Sequence, residues 1–171
     1  MSGVIVVRPI AANEWSTYRA LRLRALLDAP DAFGSTHAAE STRPDAMWQE
    51  RLLAAERSAD DCALFAESAG QICGLLWCKR SEVEPHIAHA YQMWVDPAAR
   101  GMGVGDALLR AGIDWARQIG VRYLRLGVTI SQPPSPAMRL YRRHGFVPVD
   151  SLEPLREGSP LMAQSMELRI V

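Results

Sequence analysis

The chain has 171 residues, no net formal charge at pH 7 and 49% hydrophobic residues. This length and composition predict one globular domain over residues 1–171, with a sizeable core and little room for a second. The balanced charge gives no indication of a nucleic-acid or anionic-membrane partner. Because the apolar run at residues 4–7 is too short for a signal peptide or a membrane span, we expect a cytoplasmic protein.

Charge is unevenly distributed along the chain. Residues 96–144 contain eight arginines against three aspartates, whereas residues 1–95 contain nine basic and twelve acidic groups. Three cysteines, Cys62, Cys73 and Cys78, lie among apolar residues and lack metal-ligand spacing, so we expect buried reduced thiols and no metal site.

The first half of the chain predicts two helices before a group of strands. A strand is expected at residues 4–8, followed by a helix that Asn13 caps and that ends near Pro30. Residues 31–43 are expected to form a loop, and Pro44 to start a second helix. Two strand-like runs at residues 62–67 and 72–79 predict a hairpin, and a long strand follows at residues 87–95.

The second half alternates helices with strands. An amphipathic helix is predicted from residue 104 until Gly120, then a strand at residues 123–128. Ser135 is suited to cap a short helix that Gly145 ends. The last strands are expected at residues 146–149 and 162–171. The element order predicts a mixed α/β sheet of about seven strands with helices on both faces.

A glycine-rich loop joins the predicted strand at 87–95 to the next helix. Gly101, Gly103 and Gly105 occupy alternate positions there, where a backbone without side chains can approach a ligand closely. The first amides of the helix lack intrahelical acceptors, and the helix dipole leaves partial positive charge at that end. The segment therefore predicts a phosphate-binding loop, and a tight turn without a ligand is the alternative.

A second motif follows at residues 137–146, with the pattern A-x-x-L-Y-x-x-x-G-F. On its own it is also consistent with a core aromatic residue beside a helix cap. The glycine loop has the pattern Q/R-x-x-G-x-G/A, and the two motifs in this order resemble the GCN5-related N-acetyltransferase (GNAT) superfamily. The resemblance is specific over residues 93–147, and outside them it rests on element order.

The resemblance implies a mostly antiparallel sheet that splays between its fourth and fifth strands, with acetyl-CoA in the gap as acyl donor. It also implies a set of donor-binding residues: Met93 and Val95 through backbone groups to the pantetheine, and Gly101, Met102, Gly103, Val104, Gly105 and Asp106 through amides to the pyrophosphate. The side chain of Arg100 either contacts a phosphate or is a solvated loop charge.

The family pattern implies that Tyr141 is the general acid that protonates the leaving thiolate. No general base is evident. His89 is the best candidate because it is predicted in phase with Tyr91, Met93 and Val95, although a packed or rim histidine is the alternative. Further candidates for the base are His86, Glu84, His37 and Glu40. Where many members carry an asparagine this chain has Pro134. Ser131 or Ser135 could contact pantetheine instead, although Ser135 is also suited to cap the helix.

The resulting expectation is an acetyl-CoA-dependent N-acetyltransferase that transfers the acetyl group directly to an amine of a small molecule or a protein, without a metal. One alternative is a non-catalytic acyl-CoA-binding or regulatory module on the same fold. Another is a nucleotide-binding protein of a different fold. The chain is expected to be a monomer or a homodimer, in which the strand at 162–171 could pair with its copy.

Overall fold

The computed structural model describes residues 3–171, so the first two residues of the predicted domain 1–171 lie outside it. Seven strands form one sheet. They are Ile5–Pro9 (β1), Asp61–Ser68 (β2), Gln71–Arg80 (β3), Ile87–Val95 (β4), Tyr123–Thr129 (β5), Val147–Pro154 (β6) and Met162–Arg169 (β7). The α-helices are Trp15–Asp28 (α1), His37–Ser41 (α2), Asp45–Arg57 (α3), Val104–Gln118 (α4) and Pro136–Arg143 (α5).

The strands are arranged in the order β1-β2-β3-β4-β5-β7-β6. Every neighbouring pair is antiparallel except β4 and β5, which are parallel. One face of the sheet packs against α4 and α5, and the other packs against α1 and α3. The predicted mixed, mostly antiparallel sheet with helices on both faces is therefore confirmed.

The two parallel strands separate soon after they meet. Their pairing runs only from Ile87 opposite Tyr123 to His89 opposite Arg125. Beyond this point β4 continues along β3 and β5 continues along β7, so a gap opens between them. The predicted splay between the fourth and fifth strands is confirmed.

A bulge in β4 changes which side chains share a face. Gln92 has φ 60°, and the register of β4 against β3 shifts at this point. Met93 and Val95 pack on the α4–α5 side. His89 stacks on Tyr91, which pairs with a tryptophan of the α1–α3 core. The prediction that His89 is in phase with Met93 and Val95 was wrong because the bulge inserts one residue into the alternation.

Residues 31–43 are not a continuous loop as predicted. A 3₁₀ turn at Pro30–Ala32 is followed by α2, whose N-cap Thr36 accepts a hydrogen bond from the Ala39 amide at 3.2 Å. A helix of five residues is too short to show a hydrophobic period, so only the cap could have indicated it.

Some helix boundaries were predicted correctly and others were not. Ser135 caps α5 as expected and accepts from the Met138 amide at 3.1 Å. Asn13 does not cap α1, because Ala12–Glu14 forms a 3₁₀ turn and α1 begins after it. Strand β6 is longer than predicted and runs from Val147 to Pro154.

The last strand has no free edge in the sheet. β7 pairs with β5 on one side and with β6 on the other, so the edge strands are β1 and β6. Main-chain pairing of β7 with a second copy, which the sequence suggested, therefore does not fit this topology.

The cysteines are free thiols in the sheet. Cys73 and Cys78 are buried, and Cys62, opposite Cys78 across the β2–β3 pair, is half-buried. Burial raises the pKa of the Cys62 thiol to about 11. Within residues 3–171 no three His, Cys, Asp or Glu side chains gather to hold a metal, and no helix is long and apolar enough to cross a membrane.

Close contact between α4 and the sheet depends on Gly74 of β3. A Cβ at this position would lie 2.9 Å from Leu108 Cδ1 and 3.0 Å from Val104 Cγ1. Gly74→Ala is expected to lower the free energy of unfolding by about 1–3 kcal/mol through overpacking. Gly127→Ala is the control, because nothing lies within 4 Å of its Cβ position. Urea denaturation of both variants measures the difference, and equal stabilities would contradict the packing.

Candidate active site

A cleft of about 920 Å³ lies at the place where β4 and β5 separate. Leu109 and Tyr141 line it from the α4–α5 side of the sheet, and Met93 lines it from β4. Arg22 and Phe33 line it from the side of α1. The cleft therefore passes between the splayed strands and is reached from both faces of the sheet.

The glycine loop precedes α4 on the side of the sheet that this helix covers. Gly101 has φ 79° and Gly103, the N-cap of α4, has φ 90°, which side chains rarely tolerate. Among the hydrogen bonds of residues 3–171, none joins an amide of residues 101–106 to a backbone carbonyl. These amides and the positive end of the helix dipole form a cradle of the kind that can bind an anion.

Gly105 has a role that the sequence did not indicate. It lies inside α4, and its φ is not in the left-handed region. A Cβ there would lie 3.1 Å from Leu140 Cδ2 on α5. The missing side chain therefore lets α5 pack closely on the start of α4, next to the loop and near Tyr141.

The end of β4 presents main-chain groups to the gap. The Asp96 amide donates to the Cys73 carbonyl at 2.8 Å, so Asp96 and Cys73 form a hydrogen-bonded pair at the end of the β3–β4 ladder. Because bonded and non-bonded pairs alternate along an antiparallel ladder, the amide and carbonyl of Val95 point away from β3. The carbonyl accepts from Arg100 Nε at 3.1 Å, so the Val95 amide is the group left to meet a ligand.

Arg100 forms part of a clamp that neither sequence interpretation included. Its Nη2 donates to Asp28 Oδ2 at 2.6 Å, and the same oxygen accepts from Trp94 Nε1 at 3.0 Å. The Trp94 and Arg100 hydrogen bonds hold the pKa of the Asp28 carboxyl below its usual value. The side chain of Arg100 thus ties the end of β4 to the end of α1.

A double-mutant cycle tests this clamp. Arg100→Met and Asp28→Ala are each expected to lower the free energy of unfolding, with a coupling of about 0.5–1 kcal/mol because Arg100 is half exposed. A lowered carboxyl pKa contributes stability above its unfolded value near 3.8 and loses it as pH falls through the folded pKa. The coupling should therefore be present at pH 7 and absent in strong acid. Additive effects at pH 7 would contradict the clamp.

The side chain of Asp106 connects the two helices behind the loop. Its Oδ1 lies 2.8 Å from His144 Nε2, and its Oδ2 lies 3.5 Å from Arg143 Nη2. The hydrogen bond with His144 and the charge of Arg143 lower the pKa of Asp106. Its carboxylate therefore holds α5 against α4, while its amide remains part of the cradle.

Ser131 lies outside the main cleft, in a small neighbouring depression with Pro134. Its hydroxyl donates to the Pro133 carbonyl at 2.9 Å. The proton of this hydroxyl is therefore already engaged in the turn before α5. Toward pantetheine, Ser131 can therefore act only as a hydrogen-bond acceptor.

Tyr141 is 5% exposed and packs against Phe146, with ring centroids 5.9 Å apart. It reaches the cleft from α5, as the wall residues show. Burial raises the pKa of the phenol well above its usual value near 10. The hydroxyl therefore stays protonated throughout the physiological range and is chemically suited to donate a proton.

His89 does not line the cleft, although its neighbour Tyr91 does. The two rings stack with centroids 5.8 Å apart. Burial and the nearby charge of Arg125 lower the pKa of His89, so its imidazole is neutral at pH 7. Its protonation state fits a base, but the ring is not part of the cleft wall.

The other predicted base candidates are mostly engaged. Glu40 is buried and forms ion pairs with Arg22 and Arg43. The exposed carboxylate Glu84 lies 3.9 Å from an arginine of β5, and His86 packs edge-on to Tyr123. None of these residues, nor His37 in α2, belongs to the cleft wall of the described chain.

Two carboxylates that the sequence did not single out do line the cleft, Glu50 and Asp61. Glu50 belongs to a stripe along α3 that also includes Met47, Arg51 and Ala54. Asp61 accepts a hydrogen bond from Trp77 Nε1 at 3.1 Å. The spacing of the α3 stripe was visible in the sequence, but its direction toward the gap depends on how α3 packs.

Comparison with known proteins agrees with this arrangement. Residues 23–146 match the model of the Acetyltransferase (GNAT) family. The chain belongs to the GNAT acetyltransferase family, as its two motifs predicted.

Solved structures with the same fold cover nearly the whole chain. A GNAT-family acetyltransferase from Streptococcus pneumoniae is 21% identical and has a TM-score of 0.83, covering 98% of this chain and 100% of its own. The yncA protein of Salmonella typhimurium, solved with its cofactor acetyl-CoA, is 20% identical with a TM-score of 0.79, covering 98% and 95%. These identities support a shared fold.

Curated relatives match over a shorter part of their own length. A mycothiol acetyltransferase from Salinispora tropica is 32% identical over 142 residues, which is 81% of this chain and 42% of that protein. Another from Pseudarthrobacter chlorophenolicus is 34% identical over 101 residues, 56% of this chain and 31% of that protein. The chain thus spans less than half of these relatives.

Proposed function

We propose that the protein is an acetyl-CoA-dependent N-acetyltransferase that moves the acetyl group directly to an amine. The observation that carries this proposal is the order of three features on the α4–α5 side of the sheet. Tyr141 and Met93 line the cleft between β4 and β5, the open amide of Val95 follows Met93 along β4, and the glycine loop with Gly101 and Gly103 then leads into α4.

The acyl donor fits this gap along its length. The amides of residues 101–106 hold the pyrophosphate, and the open edge of β4 near Met93 and Val95 accompanies the pantetheine arm. This direction brings the thioester toward Tyr141. Exposed arginines of α5, such as Arg142, lie on the same side as the cradle and add positive charge for the donor.

The chemistry follows from the groups around the thioester. The nitrogen lone pair of a neutral amine attacks the acetyl carbon, and the carbonyl oxygen becomes an oxyanion. The Val95 amide donates a hydrogen bond to that oxygen. When the intermediate collapses, the carbon–sulfur bond breaks and Tyr141 gives its proton to the leaving thiolate. The nitrogen, which became positively charged on attack, releases its extra proton to water, and the Tyr141 phenolate takes up a proton from solvent before the next turnover.

The acceptor must lose one proton before attack, because an ammonium has no free electron pair. Glu50 and Asp61 are the carboxylates on the cleft wall, and either can receive this proton through a water molecule. His89 lies outside the cleft wall. Glu50 and Asp61 are therefore better placed than the base predicted from the sequence.

Two of the similar proteins support the choice of donor. The Salmonella typhimurium structure contains acetyl-CoA. A spermidine N-acetyltransferase from Vibrio cholerae, in complex with CoA and spermine, is 16% identical with a TM-score of 0.76 and covers 96% of this chain and 95% of its own. Neither likeness carries an acceptor over to this chain.

Release of free thiol from acetyl-CoA, measured against a panel of amines and peptides, tests the proposal. Acceptor-dependent release, together with a mass increase of the acceptor by one acetyl group, is the expected result. Acetyl-CoA binding without transfer to any acceptor would support the non-catalytic module instead. Stabilisation by ATP or NAD in preference to CoA would contradict both.

A further inference from the structure

The part of the cleft on the α1–α3 side is distinct from the part that Met93, Leu109 and Tyr141 line. We call it the acceptor half and define it by Arg22, Phe33, Arg51, Trp77 and Tyr91, all of which line the cleft. Three aromatic rings and two guanidinium groups make this half apolar with fixed positive charge. Its chemistry constrains what can bind beside the thioester.

Arg22 is the most deeply buried charged group of this half, with a side chain that is 5% exposed. Its Nε and Nη2 both donate to Glu40, at 3.4 and 2.7 Å. Arg43 also donates to Glu40, at 3.1 Å, so two cations share one carboxylate and the group retains a net positive charge. The guanidinium carbon lies 4.8 Å from the centroid of the Phe33 ring.

One nitrogen of Arg22 has no partner. Its Nη1 is buried and forms no hydrogen bond within residues 3–171. A buried donor without an acceptor is destabilising, and such groups are rare in folded proteins. Glu40 occupies the Nε–Nη2 edge of the guanidinium, so Nη1 is the nitrogen of this cleft-lining residue that is left without a partner in the described chain.

Arg51 supplies a second cation to the same half. It is half-buried on α3 and forms no ion pair with any residue between 3 and 171. Its guanidinium lies beside the Tyr18 hydroxyl, which in turn donates to Gln92 Oε1 at 2.7 Å. Tyr18 is buried, and the positive charge of Arg51 therefore lies near the bulge of β4.

The carboxylates of the cleft are less buried than Arg22 and therefore restrict the charge of a ligand less. Glu50 is exposed, and Asp61 is half-buried and already accepts from an indole N–H. Lys79, also on the wall, is largely exposed and lies 3.6 Å from Glu82. The buried and incompletely satisfied charge in the acceptor half is therefore positive.

We propose that the acceptor is a small primary amine that also carries a carboxylate, as an amino acid does. Arg22 and Arg51 bind the carboxylate, because a guanidinium edge matches its two oxygens in geometry and charge. The aromatic rings cover the apolar part of the acceptor, and its amine points to the thioester. This inference rests on the proposed N-acetyltransferase function.

Matched acceptor pairs test the proposal by turnover. The panel contains the twenty amino acids, their carboxamides, their decarboxylated amines and spermidine. We expect at least one amino acid to be preferred over its amide by about tenfold or more in kcat/KM. Equal rates for acid and amide, or a preference for spermidine, would overturn the carboxylate proposal and leave the acetyltransferase function standing.

Arg51→Met and Arg57→Met form a matched pair of variants on α3. Arg57 is exposed and outside the cleft wall, so its variant should keep the preference for the acid. Arg51→Met should lower the ratio of kcat/KM for the acid to kcat/KM for the amide about tenfold, mainly by raising KM for the acid. Arg51 is chosen because removing Arg22 would leave Glu40 buried with a weaker partner. An unchanged ratio in Arg51→Met would contradict the assignment.

If no acceptor is turned over, a binding measurement still tests the carboxylate site. The protein saturated with CoA is titrated calorimetrically with N-acetyl amino acids and with N-acetyl amino acid amides. Tighter binding of the acids, lost in Arg51→Met, supports the carboxylate site even if the transferase function fails. Equal or undetectable binding of both probes overturns it.

Discussion

Tyr141→Phe is expected to lower kcat for acetyl transfer by about 10²–10⁴-fold, the usual contribution of a general acid. The variant keeps the buried ring and its packing on Phe146 and removes only the hydroxyl. Folding and acetyl-CoA affinity should therefore change little. Steady-state kinetics with saturating acetyl-CoA, together with thermal unfolding, measure the separate effects.

The pH dependence adds a second readout to this variant. Because burial raises the pKa of Tyr141, the wild-type phenol stays protonated above its reference value near 10, and kcat should not fall between pH 7 and 10 through loss of this acid. Tyr123→Phe is the matched control, since Tyr123 packs near His86 outside the cleft wall. Wild-type kcat in Tyr141→Phe across this pH range would contradict the assignment.

Gly103→Ala is expected to weaken acetyl-CoA binding by at least about tenfold. Gly103 has φ 90° at the N-cap of α4, and a Cβ in this left-handed region costs about 1–2 kcal/mol. Relief of that strain displaces the amides that hold the pyrophosphate. Calorimetric titration with acetyl-CoA measures the loss directly.

Gly120→Ala separates this effect from general destabilisation. Gly120 has φ 75° just after the other end of the same helix, with nothing within 4 Å of its Cβ position. Both variants should lose a similar amount of stability, but only Gly103→Ala should bind acetyl-CoA more weakly. A similar loss of affinity in both would show that the loop has no special role in holding the donor.

Local motifs account for the part of the site that could be predicted. The glycine loop and the Tyr141 helix each depend on residues within about ten positions, and their caps and periods are encoded locally. The order of the elements then limits the sheet to a few topologies. The parallel β4–β5 contact and its splay followed from the family resemblance of these two motifs.

The features that could not be predicted depend on distant residues. The β4 bulge at Gln92 is accompanied by a hydrogen bond from Tyr18, 74 positions away along the chain. Arg100 is turned away from the loop by Asp28, 72 positions away. Periodicity assumes regular alternation and cannot foresee an inserted residue, which is why His89 was expected on the wrong face.

The acceptor half shows the same limitation more strongly. Arg22, Phe33 and Glu40 come together only because α1, the following turn and α2 fold over the end of the sheet. In the sequence, Arg22 is one of several arginines of a polar helix, and nothing local marks it as buried. The unpaired Nη1 of Arg22 suggests a binding role only once the structure shows that it is buried and that Glu40 occupies the other nitrogens.

A crystal structure of the protein with CoA tests the central claim most directly. We predict the diphosphate oxygens within about 2.7–3.2 Å of amide nitrogens in residues 101–106, and the CoA sulfur beside the Tyr141 hydroxyl in the β4–β5 gap. CoA bound elsewhere, or bound at the loop with its sulfur away from Tyr141, would contradict the account.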